Sequence, residues 1–126
     1  MAFTDYLENK LVAHTFSNTA YTSPTTVYVA LYTVAPTDST SGTEVSGGAY
    51  ARQSAAFTTT GNAATNSAAI EYPTATASYG TVVAVAILDA SSGGNMLAYA
   101  SLSSNKTIDT GDVFRIPAGD LEITLD

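Results

Sequence analysis

Between Thr26 and Thr33 apolar and aromatic residues run without a break, Val27, Val29 and Leu31 alternating with Tyr28, Ala30 and Tyr32. A run of β-branched and aromatic residues predicts a strand, and apolar residues on both of its faces predict a central strand covered from two sides. The first sixteen residues carry the helical spacing. Phe3, Leu7 and Leu11 recur at i, i+4 and i+8 with Tyr6 beside them, while Glu8, Asn9 and Lys10 fall on the other side. This predicts a short amphipathic helix over 4–15, capped by Thr4 or Asp5. A helix so short persists only by leaning on a sheet, so it is a candidate cover for one face of the central strand.

Further strands are predicted at 50–57, 68–72, 80–88, 96–101, 113–116 and 121–125. They are separated by the turn clusters Thr60-Gly61-Asn62, Ser91-Ser92-Gly93-Gly94-Asn95, Asp109-Thr110-Gly111-Asp112 and Pro117-Ala118-Gly119-Asp120. Residues 89–95 read as the loop of a hairpin between two of the most hydrophobic strands. Short strands with such punctuation predict a mainly β fold: a single antiparallel β-sandwich, jelly-roll-like, with one short N-terminal helix, spanning 1–126. Two segments, 35–48 and 54–69, are expected to be exposed. The second is rich in Ala, Thr and Asn and reads as an exposed strand or a loose arm that orders on contact. Loops of this kind are where binding commonly resides in a small domain.

Composition narrows the functional classes. The 126 residues include 4 Lys+Arg against 11 Asp+Glu, a net charge of −7. That balance argues against nucleic acid, whose phosphates need basic partners, and against anionic membranes. No window approaches a membrane-spanning length of apolar residues, and Met1-Ala2-Phe3-Thr4-Asp5-Tyr6 lacks the basic start and apolar run of a signal peptide. With no cysteine, thiolate chemistry and disulfide staples are absent. Charged residues make up only 12% of the chain, so Ser, Thr, Asn, Gly and Ala must cover the surface; such a surface is easily desolvated and suits protein–protein contact.

Candidate chemistry is sparse. His14 stands alone at the end of the predicted helix, where the helix dipole favours a positive charge, and no G-x-S-x-G frame accompanies the serines. Asp109/Asp112 brackets a turn and Asp120/Glu122 starts a strand; neither pair has the aromatic platforms of a sugar cleft. The segment from Asp38 to Glu44 lacks the alternating ligands of a calcium loop, and Gly47-Gly48 lacks the G-K-[ST] context of a phosphate cradle. The expectation is a non-enzyme with no catalytic, cofactor-binding or metal residues. What stands out is tyrosine. Tyr50, Tyr72 and Tyr79 lie near loops and are candidate subunit contacts, together with Glu44 and Arg52. The latter two read either as a salt bridge pinning the long loop or as a cross-subunit pair.

One block carries a family likeness. Val29-Ala30-Leu31-Tyr32-Thr33, then Ala35-Pro36-Thr37-Asp38, then Glu44-Val45-Ser46-Gly47-Gly48-Ala49-Tyr50-Ala51-Arg52, resembles small bacteriophage virion proteins. These are often labelled tail fibre proteins, and their cyanophage relatives look like capsid cement (decoration) proteins. The likeness continues through Ala69-Ile70-Glu71-Tyr72-Pro73-Thr74-Ala75, the apolar strand 80–89, Gly93-Gly94-Asn95-Met96-Leu97-Ala98-Tyr99 and Gly111-Asp112. It implies a virion component, assembled in the host cytoplasm, β-rich and forming a homo-oligomer, expected as a homotrimer. The partner it implies is the major capsid protein or another virion protein. The function expected on this basis is a cement protein bracing the phage head between major capsid protein subunits; the alternative is a tail fibre or receptor-binding protein. The helix and the 54–69 arm are then candidate clamps on neighbouring subunits.

Overall fold

A computed structural model describes residues 1–125; Asp126, the last residue of the expected domain, lies outside the described residues. In chain order the elements are β1 (Ala2–Phe3), α1 (Asp5–Phe16), β2 (Val27–Val34), β3 (Thr43–Glu44), β4 (Gln53–Ala55), β5 (Phe57–Thr60) and β6 (Ala63–Asn66). They continue with β7 (Ile70–Glu71), β8 (Gly80–Leu88), β9 (Met96–Ile108), β10 (Arg115–Ile116) and β11 (Glu122–Thr124). The fold is mainly β and antiparallel with one short helix. The large sheet runs β1-β9-β8-β2-β3, with β4 also on β2; β7 pairs with β10, and β6 lies between β5 and β11.

The uninterrupted apolar run forms β2, and it is central as its pattern predicts. One edge pairs with β8, from Tyr28↔Leu88 to Tyr32↔Ala84. The other edge is shared end to end: β4 takes residues 27–29 and β3 takes Tyr32 and Val34. Both faces are buried. Val29 and Leu31 join Val85, Ile87 and Leu97 in the main core, against Ile70, Tyr72, Phe114, Ile116 and Leu121. Burying each such aliphatic side chain stabilises the fold by about 1.5–3 kcal/mol. Ala30, Ala84 and Ala86 form the opposite face with Tyr32 and Leu88, and half-buried Val83, Met96 and Tyr99 pack against them.

The strand at 80–88 and the hairpin loop after it stand where the sequence puts them. Asp89 closes that loop: its backbone N–H donates to Asn95 O at 3.1 Å, and its carboxylate accepts from the Asn95 N–H at 2.7 Å. Other boundaries moved. The strand expected at 50–57 begins only at Gln53, because Gly47, Gly48 and Ala49 take successive positive φ values (78°, 61° and 70°) and turn the chain. At Gly48 the turn also brings the backbone so close to Ala77 O that a Cβ would sit 2.6 Å from it. β9 runs on to Ile108, seven residues past its expected end, its polar stretch pairing with the start of β8.

The 54–69 segment is not a loose arm. It supplies β5 and β6, a hairpin completed by β11. Asn66 holds it. Buried to 2% exposure, its side-chain amide donates to Ala68 O (3.0 Å) and Pro117 O (2.9 Å), and its Oδ1 accepts from the Leu121 N–H (2.9 Å). A buried amide with every bond made fixes a unique arrangement.

The helix lies one residue from its expected span, with Thr4 as N-cap: Thr4 Oγ1 accepts from the Leu7 N–H and donates to Met96 O at 2.6 Å. His14 sits in the last turn, where its Nδ1 accepts from the Tyr21 N–H at 3.1 Å. Contrary to expectation, α1 does not cover β2; it lies against β9 and β1. Tyr6 and Leu7 touch the margin of the core, but no side chain of α1 is buried. Val12 and Phe16, four residues apart on one helix face, are 58% and 82% exposed.

Candidate functional site

Glu44, Tyr50, Arg52, Tyr72 and Tyr79 come together as one cluster on the edge of β2. The cause is the split edge itself. At residues 29–31, where β4 gives out and β3 has not begun, β2 has backbone groups that no strand ladder satisfies, and two tyrosine hydroxyls and a loop amide satisfy them instead. The Leu31 N–H donates to the Tyr50 hydroxyl at 3.0 Å, and the Tyr72 hydroxyl donates to Val29 O at 2.6 Å. Leu31 O accepts from the Val45 N–H at 2.9 Å. Buried backbone groups must be paired, so these tyrosines stand in for a missing stretch of strand.

The ion pair sits over this repair. Arg52 grips Glu44 with two parallel bonds, Nε to Oε2 at 2.9 Å and Nη2 to Oε1 at 2.8 Å. Its Nη1 donates to Ala90 O and Gly93 O, both at 2.9 Å, which ties the β8–β9 loop to β3. The Tyr50 hydroxyl donates to Glu44 Oε2 at 2.7 Å. Below, the Tyr50 ring lies nearly parallel to Tyr72 (6.1 Å between centroids, 8°), and Tyr79 meets it edge-on at 5.8 Å. Phe114 closes on Tyr72 at 5.8 Å, and the Tyr79 hydroxyl donates to Pro73 O at 2.8 Å. Ring pairs at these separations add to area burial.

The electrostatics follow the geometry. Burial pushes the Glu44 carboxyl up, but the hydrogen bonds from Arg52 and Tyr50 and the guanidinium charge outweigh it and hold the group below its ordinary value. The Glu44 bond is the main reason the Arg52 guanidinium is raised. Burial, then the bond to Glu44, pushes the Tyr50 phenol well up; burial and then Glu44 push Tyr32 up to about 12. Burial raises Tyr72 well above its usual range. Every phenol in the cluster is therefore neutral near pH 7, and the carboxylate accepts three hydrogen bonds from within the chain. Such a set holds structure.

Of the five residues expected as subunit contacts, the structure places Tyr72, Tyr79 and the Arg52 side chain inward and leaves Glu44 and Tyr50 half-buried. Tyr72 and Tyr79 are 2% and 4% exposed and lie in the core, and the Arg52 side chain is 9% exposed. Glu44 and Arg52 form the loop-pinning bridge within one chain, not a cross-subunit pair. Proximity to loops misled because the tyrosines are near the loops in order to satisfy β2, not to leave the surface.

Two further groupings had no sequence signal. Asp5 and Glu8 in the first turns of α1 and Asp38 in the β2–β3 loop each place a carboxylate oxygen within 4.8 Å of the others, all exposed. The helix N-terminus favours this negative charge, the Asp5 N–H donates to Asp38 O at 3.1 Å, and the Tyr99 hydroxyl bonds to the Asp38 carboxylate. The other carboxylate pair, Asp109 and Asp112, closes its turn as expected: Asp112 Oδ2 accepts from the Asp109 N–H at 2.9 Å. The second grouping is apolar. A groove of about 640 Å³ opens between the large sheet and the β5-β6-β11 layer, lined by Phe3, Leu7, Val27, Phe57, Leu97 and Ile123 among others. Its floor is the main core, exposed where the two layers part.

Compared with known protein families, residues 2–124 match podophage GP4 fiber I protein gp80. The chain belongs to that family. No curated protein matches it. Membership in this family makes the chain a structural protein of the phage virion. The matched span takes in the whole Glu44 cluster and all the residues that line the groove. Within the family fold, the block 26–52 that carried the likeness builds the centre of the large sheet and the cluster beside it.

Proposed function

We propose that the chain is a fibre-type structural subunit that works by binding copies of itself and other virion proteins, and that it catalyses no reaction. The family match over 2–124 carries this reading. It is supported by the inward use of the polar groups, since the ion pair and the Tyr50 hydroxyl bond one another and the backbone of β2. A net charge of −7 weighs against nucleic acid or an anionic membrane as the partner. Other virion subunits, in an assembly built in the host cytoplasm, remain the natural partners.

A second reading is a capsid cement protein, a trimer seated between major capsid protein subunits and bracing the head. The likeness to cyanophage decoration proteins supports it, and so does a compact β body with a projecting helix that can reach a neighbour. Lattice decoration works by repetition of modest contacts. Copy number in purified particles separates the two. A fibre subunit is present in the low number set by tail symmetry, whereas a head cement reaches on the order of hundreds. Deletion gives the second axis: lost adsorption with heat-stable heads supports the fibre reading, and heat-fragile heads with intact adsorption support cement.

A further inference from the structure

We infer that β1 and α1 form a detachable strap, which opens as one unit while the rest of the fold stays closed. Such a strap is independent of where on the particle the chain sits.

The strap is held at one end. β1 is a two-residue edge strand, paired with β9 at Ala2↔Tyr99 and Phe3↔Ala98. Thr4 extends that hold: its N–H donates to Leu97 O at 3.0 Å, and its Oγ1 donates to Met96 O at 2.6 Å. The Asp5 N–H reaches Asp38 O at 3.1 Å. Further along, the bonds of α1 run within the N-terminal segment itself. Ser17 and Thr19 donate their N–H groups to Ala13 O, and Tyr21 donates its N–H to His14. No side chain of the helix is buried. A twelve-residue helix by itself is marginal in water, so α1 persists because its first turn is anchored. Loss of the anchor therefore releases strand and helix together.

Like charges meet at the anchor. Asp5 and Glu8 on the strap and Asp38 on the body bring carboxylate oxygens within 4.8 Å of one another. The start of the helix offsets this repulsion only while the helix is formed. Separation of strap from body relieves it.

The body keeps its centre when the strap leaves. β8 remains paired with β2 on one side and with β9 on the other. Residues 17–26, between α1 and β2, contain no helix or strand and are mostly exposed, so they can straighten without pulling on β2. Segments with so few buried apolar contacts open well below the free energy of global unfolding. Opening uncovers Leu97 and Ala98, which are 6% and 2% exposed with the strap closed, and frees the outer edge of β9 beside them.

Native-state hydrogen exchange on the full chain tests this. The amides of 9–15 should share one opening rate, about a hundredfold or more faster than the amides of 29–31 and 84–87. Their exchange should also quicken together in low urea, with a slope smaller than that of global unfolding. Exchange of α1 only through the global transition overturns the inference. Graded exchange from Phe16 inward, indifferent to urea, overturns it too, because that is fraying. The cysteine-free chain permits a second measurement. Ala98→Cys, opposite Phe3, should react with a thiol reagent at least about tenfold faster than Ala84→Cys, which lies on the other face of the sheet. Phe3→Cys added to Ala98→Cys should close a cross-strand disulfide and slow α1 exchange to the rate of the body. Equal labelling of the two cysteines, or α1 exchange unchanged by the disulfide, overturns the strap. The wild-type exchange decides by itself if a variant does not fold.

Discussion

Around Glu44, a carboxylate, a guanidinium and three phenols lie inside the molecule; on the outer half of α1, a phenylalanine and a valine lie outside. The usual distribution of polar and apolar residues is inverted in both places, and for different reasons. The polar cluster is inside because β2 is flanked by two short strands that leave a gap, and the gap needs donors and acceptors. The apolar pair is outside because, in α1, only Tyr6 and Leu7, next to the Thr4 cap, pack against the main core. The first inversion is satisfied within one chain. The second is not satisfied within the chain, so the polar group here reports on folding while the apolar pair stays in water.

Substitutions in the two regions should separate those roles. The largest effect is expected from Tyr72→Ala, which removes a core ring with two aromatic neighbours and leaves Val29 O without its donor. A loss of about 4 kcal/mol is expected in urea unfolding; a loss under about 1 kcal/mol would mean that the cluster is not holding the sheet. Next is Arg52→Ala, which strands Glu44 and frees the carbonyls of Ala90 and Gly93. It should cost about 3 kcal/mol, and amide exchange should quicken selectively over 89–95. Uniform quickening would contradict the pinning role of the guanidinium.

The pH dependence is smaller and has a definite sign. Glu44 is held below its ordinary value in the fold, so its contribution is complete above the usual carboxylate value, about 4.3, and fades as pH falls through the lowered value. The Glu44→Gln variant, less stable at pH 7, should lose less between pH 6 and 3 than the wild type; parallel urea-midpoint curves would count against the bridge. In alkali the sign reverses. Tyr50, Tyr72 and Tyr32 have raised values in the fold, so stability is full below about 10 and is lost as pH rises above it. The smallest effect belongs to the helix tip: Phe16→Ser should change single-chain stability in dilute solution by less than about 0.5 kcal/mol. A large loss would show Phe16 to be part of the fold and remove the contrast.

Much of this architecture was legible beforehand, for identifiable reasons. The β2 run, the strand at 80–88 and the Gly/Ser loop after it declare themselves by length and punctuation, and the helix by its Leu7/Leu11 spacing and Thr4. The Glu44–Arg52 bridge was legible as one of two options. Tyrosine orientation was not, because whether a phenol points in or out depends on which backbone groups of β2 lack a partner, and that follows from pairing among distant segments. β6 escaped because Ala-Ala-Thr-Asn carries little hydrophobic signal; one buried amide, Asn66, holds it there. The polar half of β9 fell outside the predicted strand because, exposed on most of its length, it carries little apolar pattern. The groove is made by Phe3, Phe57, Leu97 and Ile123, which no short window joins.

The pairing of distant segments also imposes an order on synthesis. β1 meets β9 through Ala2↔Tyr99 and Phe3↔Ala98, and β6 meets β11 through Glu122↔Thr65. Contacts this far apart along the chain make folding slow, and here they keep the last of it waiting until the ribosome has passed residue 124. The wall of the groove needs both Phe3 and Ile123, so it cannot close until the chain has been made that far.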